Sequence, residues 1–105
     1  MMIYGHIHMA QRSCPMVGGK CVTTQDAAGY DAPIHAVIGN AGQSLVVGSL
    51  PIVEWSVYSA FEFGFSELEA HNATHLTLKY FADAPLHEEA PLHHSVTLVR
   101  KYPRV

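Results

Sequence analysis

The stretch that most restricts the fold is the strand expected over Thr74 to Phe81, Thr74-His75-Leu76-Thr77-Leu78-Lys79-Tyr80-Phe81. Successive side chains of an extended strand face opposite ways, so Leu76, Leu78 and Tyr80 share one face and His75, Thr77 and Lys79 the other. Strict alternation of this kind predicts a strand with one buried and one solvated face, which is the signature of an antiparallel sheet. His71-Asn72-Ala73 offers a hairpin connection back to a strand over Phe65 to Ala70, and Ser95 to Arg100 supplies a further strand after a proline-containing loop. The expected result is an antiparallel meander.

Upstream, the chain reads as shorter strands separated by turns. Ile3-Tyr4-Gly5-His6-Ile7-His8 reads as a buried strand that delivers two imidazoles at its carboxyl end. Met9 to Gly29 has no sustained apolar period and reads as a loop region. Pro33 precedes a second apolar strand, Ile34-His35-Ala36-Val37-Ile38, followed by a tight turn at Gly39-Asn40-Ala41-Gly42-Gln43. Lacking a lysine and a helix start, that turn is not a phosphate loop. Ser44 to Glu54 reads as a loop, Trp55 to Phe63 is rich in aromatic residues that fill the core, and within it Ser56 to Phe61 reads as a short helical turn. The fold class expected is therefore α+β but mostly β, with little helix.

At 105 residues the chain has room for one small domain, and 49% hydrophobic against 14% charged residues argues for folding rather than disorder. A net charge of -3, with six scattered Lys and Arg residues, speaks against a nucleic acid partner. No apolar run has the length needed to cross a bilayer, and the amino terminus lacks the pattern of a signal peptide. A chain that opens inside a core strand is expected to be part of a longer protein, and an exposed strand edge would invite self-association.

Chemistry concentrates at the two ends of the first strand's follow-on. At the carboxyl end of that strand His6 and His8, two residues apart, converge on one face while Ile7 points back into the core, and the pair could hold one metal ion or address two neighbouring ions. Gln11 and Arg12 lie close enough in sequence to touch a ligand, although for Arg12 a structural ion pair or a loop cap is the favoured reading. His35 suits a core or edge position, and His87, His93 and His94 read as surface histidines. Cys14 and Cys21, seven apart around Pro15 and Gly18-Gly19, form either a disulfide contributing about 2–3 kcal/mol or half of a zinc site with His6 and His8. Asn72-Ala73-Thr74 is an N-glycosylation sequon, compatible with secretion.

Taken in order, Gly5-His6-Ile7-His8, Arg12-Ser13-Cys14-Pro15 with Gly19-Lys20-Cys21, Ala32 to Gly39 with Ala41-Gly42-Gln43, Glu54 to Tyr58 and Glu62 to Phe65 form one pattern. It resembles the carboxyl-terminal part of a purple acid phosphatase of the larger, plant-type branch, within the calcineurin-like metallophosphoesterases. The resemblance implies one partial domain over residues 1–105, belonging to a metallophosphoesterase β-sandwich. It also implies a secreted protein that hydrolyses phosphate monoesters at acidic pH. The implied cofactor is a binuclear centre of Fe(III) plus Zn, Mn or Fe, in which His6 binds the divalent ion and His8 the ferric ion. Two adjacent metals suit this reaction because attacking and leaving oxygens both need charge stabilisation. The family's remaining ligands, in upstream aspartate motifs, an Asn-His-Glu segment, a further histidine and a tyrosine, have no counterpart here. After the histidines the family usually carries an aromatic and then an acidic residue, where this chain has Ala10 and Gln11. The chain by itself is thus expected to lack phosphatase activity, with no catalytic residue of its own. The alternative is a noncatalytic metal-binding or structural module derived from the same fold.

Overall fold

The structure, a computed structural model, describes residues 1–22, 32–46 and 53–99. Nine strands account for its regular structure, with no helix among the described residues: β1 (Met2–Tyr4), β2 (Ala10–Ser13), β3 (Met16–Val17), β4 (Lys20–Cys21), β5 (His35–Ile38), β6 (Ser56–Ala60), β7 (Gly64–Ala70), β8 (His75–Ala82) and β9 (Leu92–Val99). They form a four-stranded sheet in the order β1-β5-β2-β6, a small β3-β4 hairpin, and a three-stranded meander in the order β7-β8-β9.

The meander follows from the alternation. β8 pairs antiparallel with β7, Leu78 opposite Leu68, and with β9, Leu78 opposite Val96. Residues 71–74 turn the chain, with Asn72 Oδ1 accepting from the backbone N–H groups of Thr74 and His75 at 2.9 Å each. This asparagine supplies the local bonds that a tight connection needs. Leu78 and Tyr80 are buried as expected. Thr77, on the face expected to be solvated, is buried as well, and its hydroxyl is satisfied by Thr97 and by the His71 ring. The third strand starts earlier than expected, at Leu92, and Arg100 lies outside the described residues.

Three expectations upstream need correction. Ser56 to Phe61 does not form a helical turn; Ser56–Ala60 is a strand, held antiparallel against β2 with Ala10 opposite Ala60. Ser-Val-Tyr-Ser suits a pleated, half-buried surface, and pairing with β2 overrides any local helical preference. Nor do these aromatic residues all fill the core, since Phe61 and Phe63 are exposed. The stretch after Met9 is not wholly loop, because β2 is an interior strand of its sheet, between β5 and β6. Its Gln-Arg-Ser sequence hid it: the apolar period is missing because the polar side chains are accommodated by specific hydrogen bonds. Finally, the first strand is exposed rather than buried, and it ends at Tyr4, before the histidines.

The two larger sheets meet at Ala10 and Ala36 on one side and Leu78, Tyr80 and Val96 on the other, with Tyr58, Ala60, Ile38 and Leu98 packed around them. The Tyr80 hydroxyl donates to the Gln11 carbonyl (2.9 Å), joining meander to sheet. Arg12, fully buried, donates from Nε to His94 Nε2 (3.0 Å) and from Nη1 to the Ser13 carbonyl (3.3 Å). His94 also stacks on Tyr58, so it is a half-buried histidine at the joint between the sheets rather than a surface one. His93 faces Glu62 across 2.7 Å.

Burial pushes the Tyr80 phenol well above its ordinary value of 10.0, with nearby Arg12 opposing and Tyr58 adding to the rise. As pH climbs past 10, the unfolded chain releases this proton while the folded chain keeps it. The unfolded state then binds fewer protons, and stability falls with pH. Urea midpoints measured from neutral to strongly alkaline pH should show this falling limb, and Tyr80→Phe should flatten it. An unchanged alkaline limb in the variant would show that the buried phenol is not its source.

Candidate metal site

The position of His6 and His8 follows from strand topology. β1 runs parallel to β5 and β2 runs antiparallel to it, on its two sides. The chain must therefore cross the carboxyl end of β5 between Tyr4 and Ala10, spanning two inter-strand spacings, about 9.6 Å, while reversing direction. Residues 5–9 make this arch as a series of bends, with Met9 N–H donating to the Ile7 carbonyl (2.9 Å). The histidines consequently lie on a loop and not on one face of a strand.

Two features hold the arch down. Met9 is fully buried, and its carbonyl accepts from Gly39 N–H at 3.1 Å. Gly39, the first residue past β5, passes so close beneath that a Cβ there would run into the carbonyl oxygens of Ile7 and Gly5. The absence of a side chain at Gly39 is thus a condition for the arch to close.

The arch presents its imidazoles outward. His6 is exposed and His8 half-buried. His8 is held at two points by the segment that follows β5: its carbonyl accepts from Val46 N–H (2.9 Å), and its Nδ1 lies 2.7 Å from Ser44 Oγ. Ser44 in turn donates to Gln43 Oε1 (2.6 Å). Imidazole nitrogens suit zinc and iron. Among the described residues, however, no group of three or more His, Cys, Asp or Glu side chains is placed to hold a metal ion. The donor chemistry fits two corners of a metal centre and leaves the other coordination positions to groups outside this set.

The other sequence candidates fall elsewhere. Gln11 donates from Nε2 to Ser56 Oγ (3.2 Å) within the sheet, and Arg12 points into the space between the sheets, so the structural reading of Arg12 holds. His35 is half-buried and stacks on Tyr4, whose hydroxyl lies 2.9 Å from His35 Nδ1. Cys14 and Cys21 form a disulfide, with Cα atoms 5.7 Å apart, which removes both sulfurs from any zinc site. Pairing of Met16 with Cys21 across β3-β4 brings the second cysteine back, through a two-residue turn in which Gly18 and Gly19 both take positive φ. Sequence reasoning missed Ser44, which reaches His8 across 36 positions and carries no local signal.

Residues 32–88 match the family model described as iron/zinc purple acid phosphatase-like protein C. Among curated proteins, one named "Probable inactive purple acid phosphatase 1" from Arabidopsis thaliana is 31% identical over 104 residues, 95% of this chain and 16% of that protein. "Probable inactive purple acid phosphatase 27" from the same plant is 28% identical over 94% of this chain and 16% of its own length. A barley (Hordeum vulgare) protein named "Nucleotide pyrophosphatase/phosphodiesterase" is 28% identical over 94% of this chain and 27% of its own. The solved structure of a purple acid phosphatase from yellow lupin (Lupinus luteus) seeds superposes with a TM-score of 0.82 and 29% identity, covering 95% of this chain and 17% of that one. The chain thus spans a minor fraction of the length of each protein it matches.

The close approach at Gly39 makes a local prediction. Gly39→Ala should destabilise the fold by about 1–3 kcal/mol, the usual cost of overpacking a tight site, and shift the amide resonances of residues 5–9. Gly5→Ala, where an added Cβ meets nothing within 4 Å, is the control and should leave stability and the amides of residues 7–9 unchanged. Equal effects at both positions in urea titrations and amide spectra would remove Gly39 as the support of the arch.

Proposed function

Given that the chain belongs to the purple acid phosphatase-like C family, we propose that it is the carboxyl-terminal segment of a metal-dependent acid phosphatase. In this reading residues 1–105 form one partial domain, which supplies His6 and His8 to a binuclear centre whose other ligands lie outside this chain. His6 addresses the divalent ion, zinc, manganese or iron, and His8 the ferric ion. Such a centre, when bound, neutralises phosphate charge during ester hydrolysis. The chain's own contribution is to place two imidazoles at the open end of a sheet and to fix one of them from behind.

The observation that carries this reading is the arch itself. Met9 and Gly39 anchor its base, while His6 and His8 remain accessible at its crown. A phosphate monoester is the substrate class that goes with the family, and the barley relative's name points to phosphoesters as well. The names of two Arabidopsis relatives favour a second reading, a noncatalytic module with the same framework. Both are compatible with the Cys14–Cys21 disulfide, which favours an oxidising compartment such as the secretory pathway. In that setting Asn72 would accept a glycan: it is exposed, and its turn-forming bonds fall on Oδ1 rather than on Nδ2, the nitrogen that carries the sugar. No helix among the described residues is long and apolar enough to cross a membrane.

A zinc titration followed by histidine-ring NMR tests the ligand assignment on the chain as it stands. His6 and His8 should move first and together, while His35, His71, His75, His87, His93 and His94 stay in place until zinc is in large excess. The binding should weaken as pH falls and imidazole protonates. Uniform movement of all rings, or none at His6 and His8, would contradict the assignment.

A further inference from the structure

The hydrogen bonds behind His8 determine where its ring proton sits. A neutral imidazole carries one proton, and the bond made by one nitrogen decides which atom holds it. Ser44 has a single hydroxyl proton, and its oxygen lies 2.6 Å from Gln43 Oε1. A carboxamide oxygen has no proton to give, so the Ser44 proton is committed to that bond. The same Ser44 oxygen lies 2.7 Å from His8 Nδ1. With its own proton already used, it can only accept there. His8 must therefore carry its proton on Nδ1, which leaves Nε2 with a bare lone pair.

We infer that Ser44, braced by Gln43, is a positioning residue that locks His8 in the Nδ1–H tautomer and so presents Nε2 as a metal-ready donor. Free imidazole side chains favour the other tautomer, whose Nε2 proton would block coordination at that atom. The relay works without a charged group, in contrast to the carboxylates that orient many metal-binding histidines, and adds no negative charge beside the metal. The Val46 N–H bond to the His8 carbonyl makes the contact two-pointed, fixing the backbone of His8 to the segment that carries Ser44. His6 has no comparable brace among the described residues, so the two imidazoles differ in how firmly they are aimed. This inference rests on the ligand role proposed for His8, but its first readout does not.

That readout is the tautomer in the metal-free chain. Long-range proton–nitrogen NMR of the nitrogen-15-labelled protein at about pH 8, where an ordinary imidazole is neutral, distinguishes a protonated Nδ1 from a protonated Nε2. The wild-type His8 ring should show Nδ1–H. Ser44→Ala should shift the ring toward Nε2–H and weaken zinc binding at His8 by about 10–100-fold, the usual effect of removing such a partner. Ser44→Thr, which keeps the hydroxyl, should retain both properties. Gln43→Ala frees the Ser44 proton to turn toward Nδ1 and should erode the preference while leaving the fold intact, since both residues are exposed. An Nε2–H ring in the wild type, or a tautomer indifferent to Ser44→Ala, overturns the inference. An Nδ1–H ring that follows Ser44 but ignores added zinc supports the tautomer lock and overturns the ligand role itself.

Discussion

Everything at the candidate site depends on one crossing, the passage of residues 5–9 over the carboxyl end of β5. A strand with a parallel neighbour on one side and an antiparallel neighbour on the other forces the connection between those neighbours to bridge it. The bridge must lie close, because Met9 is drawn fully into the core immediately behind it. Only a residue without a Cβ can pass underneath, and Gly39 occupies that place. The histidines are thus raised at the sheet's end by main-chain topology and one glycine, before any side chain of the site contributes.

The second tier of support comes from packing between the sheets. β2 leaves the arch directly and becomes an interior strand, so any looseness between sheet and meander would reach His8 within two residues. Here the joint is unusually polar. Arg12 reaches His94, His94 stacks on Tyr58, and Tyr80 reaches the Gln11 carbonyl, all around a small apolar cluster. Directional bonds of this kind specify one register more sharply than apolar contacts of the same area. The Cys14–Cys21 disulfide holds the far end of β2, where the strand gives way to the β3-β4 hairpin.

The legible parts of the chain were those whose pattern is local. Alternation from His75 to Phe81 specified the meander, and the Gly18-Gly19 pair between two cysteines made a closed loop readable in outline. What stayed hidden was set by partners far along the chain. β2 has polar residues that look like loop until Tyr58, His94 and Ser56 are brought against them. β6 holds Tyr58 between Trp55 and Phe61, which flank the strand, and this spacing of three suits a helical turn as well as a strand. His6 and His8 were identified as residues, but their geometry was misread, because nothing between Tyr4 and Ala10 shows that β5 must be crossed. Ser44 could be found only in three dimensions.

The central claim is that this chain holds one corner of a phosphatase metal centre and is catalytically incomplete alone. The most direct measurement is hydrolysis of a generic phosphate monoester at acidic pH by the purified chain, supplied with ferric ion together with zinc or manganese. The account predicts release of phosphate at the rate of the buffer and metals alone. Sustained turnover by the wild-type chain that disappears in both His6→Ala and His8→Ala would contradict it, since the chain would then contain a working site.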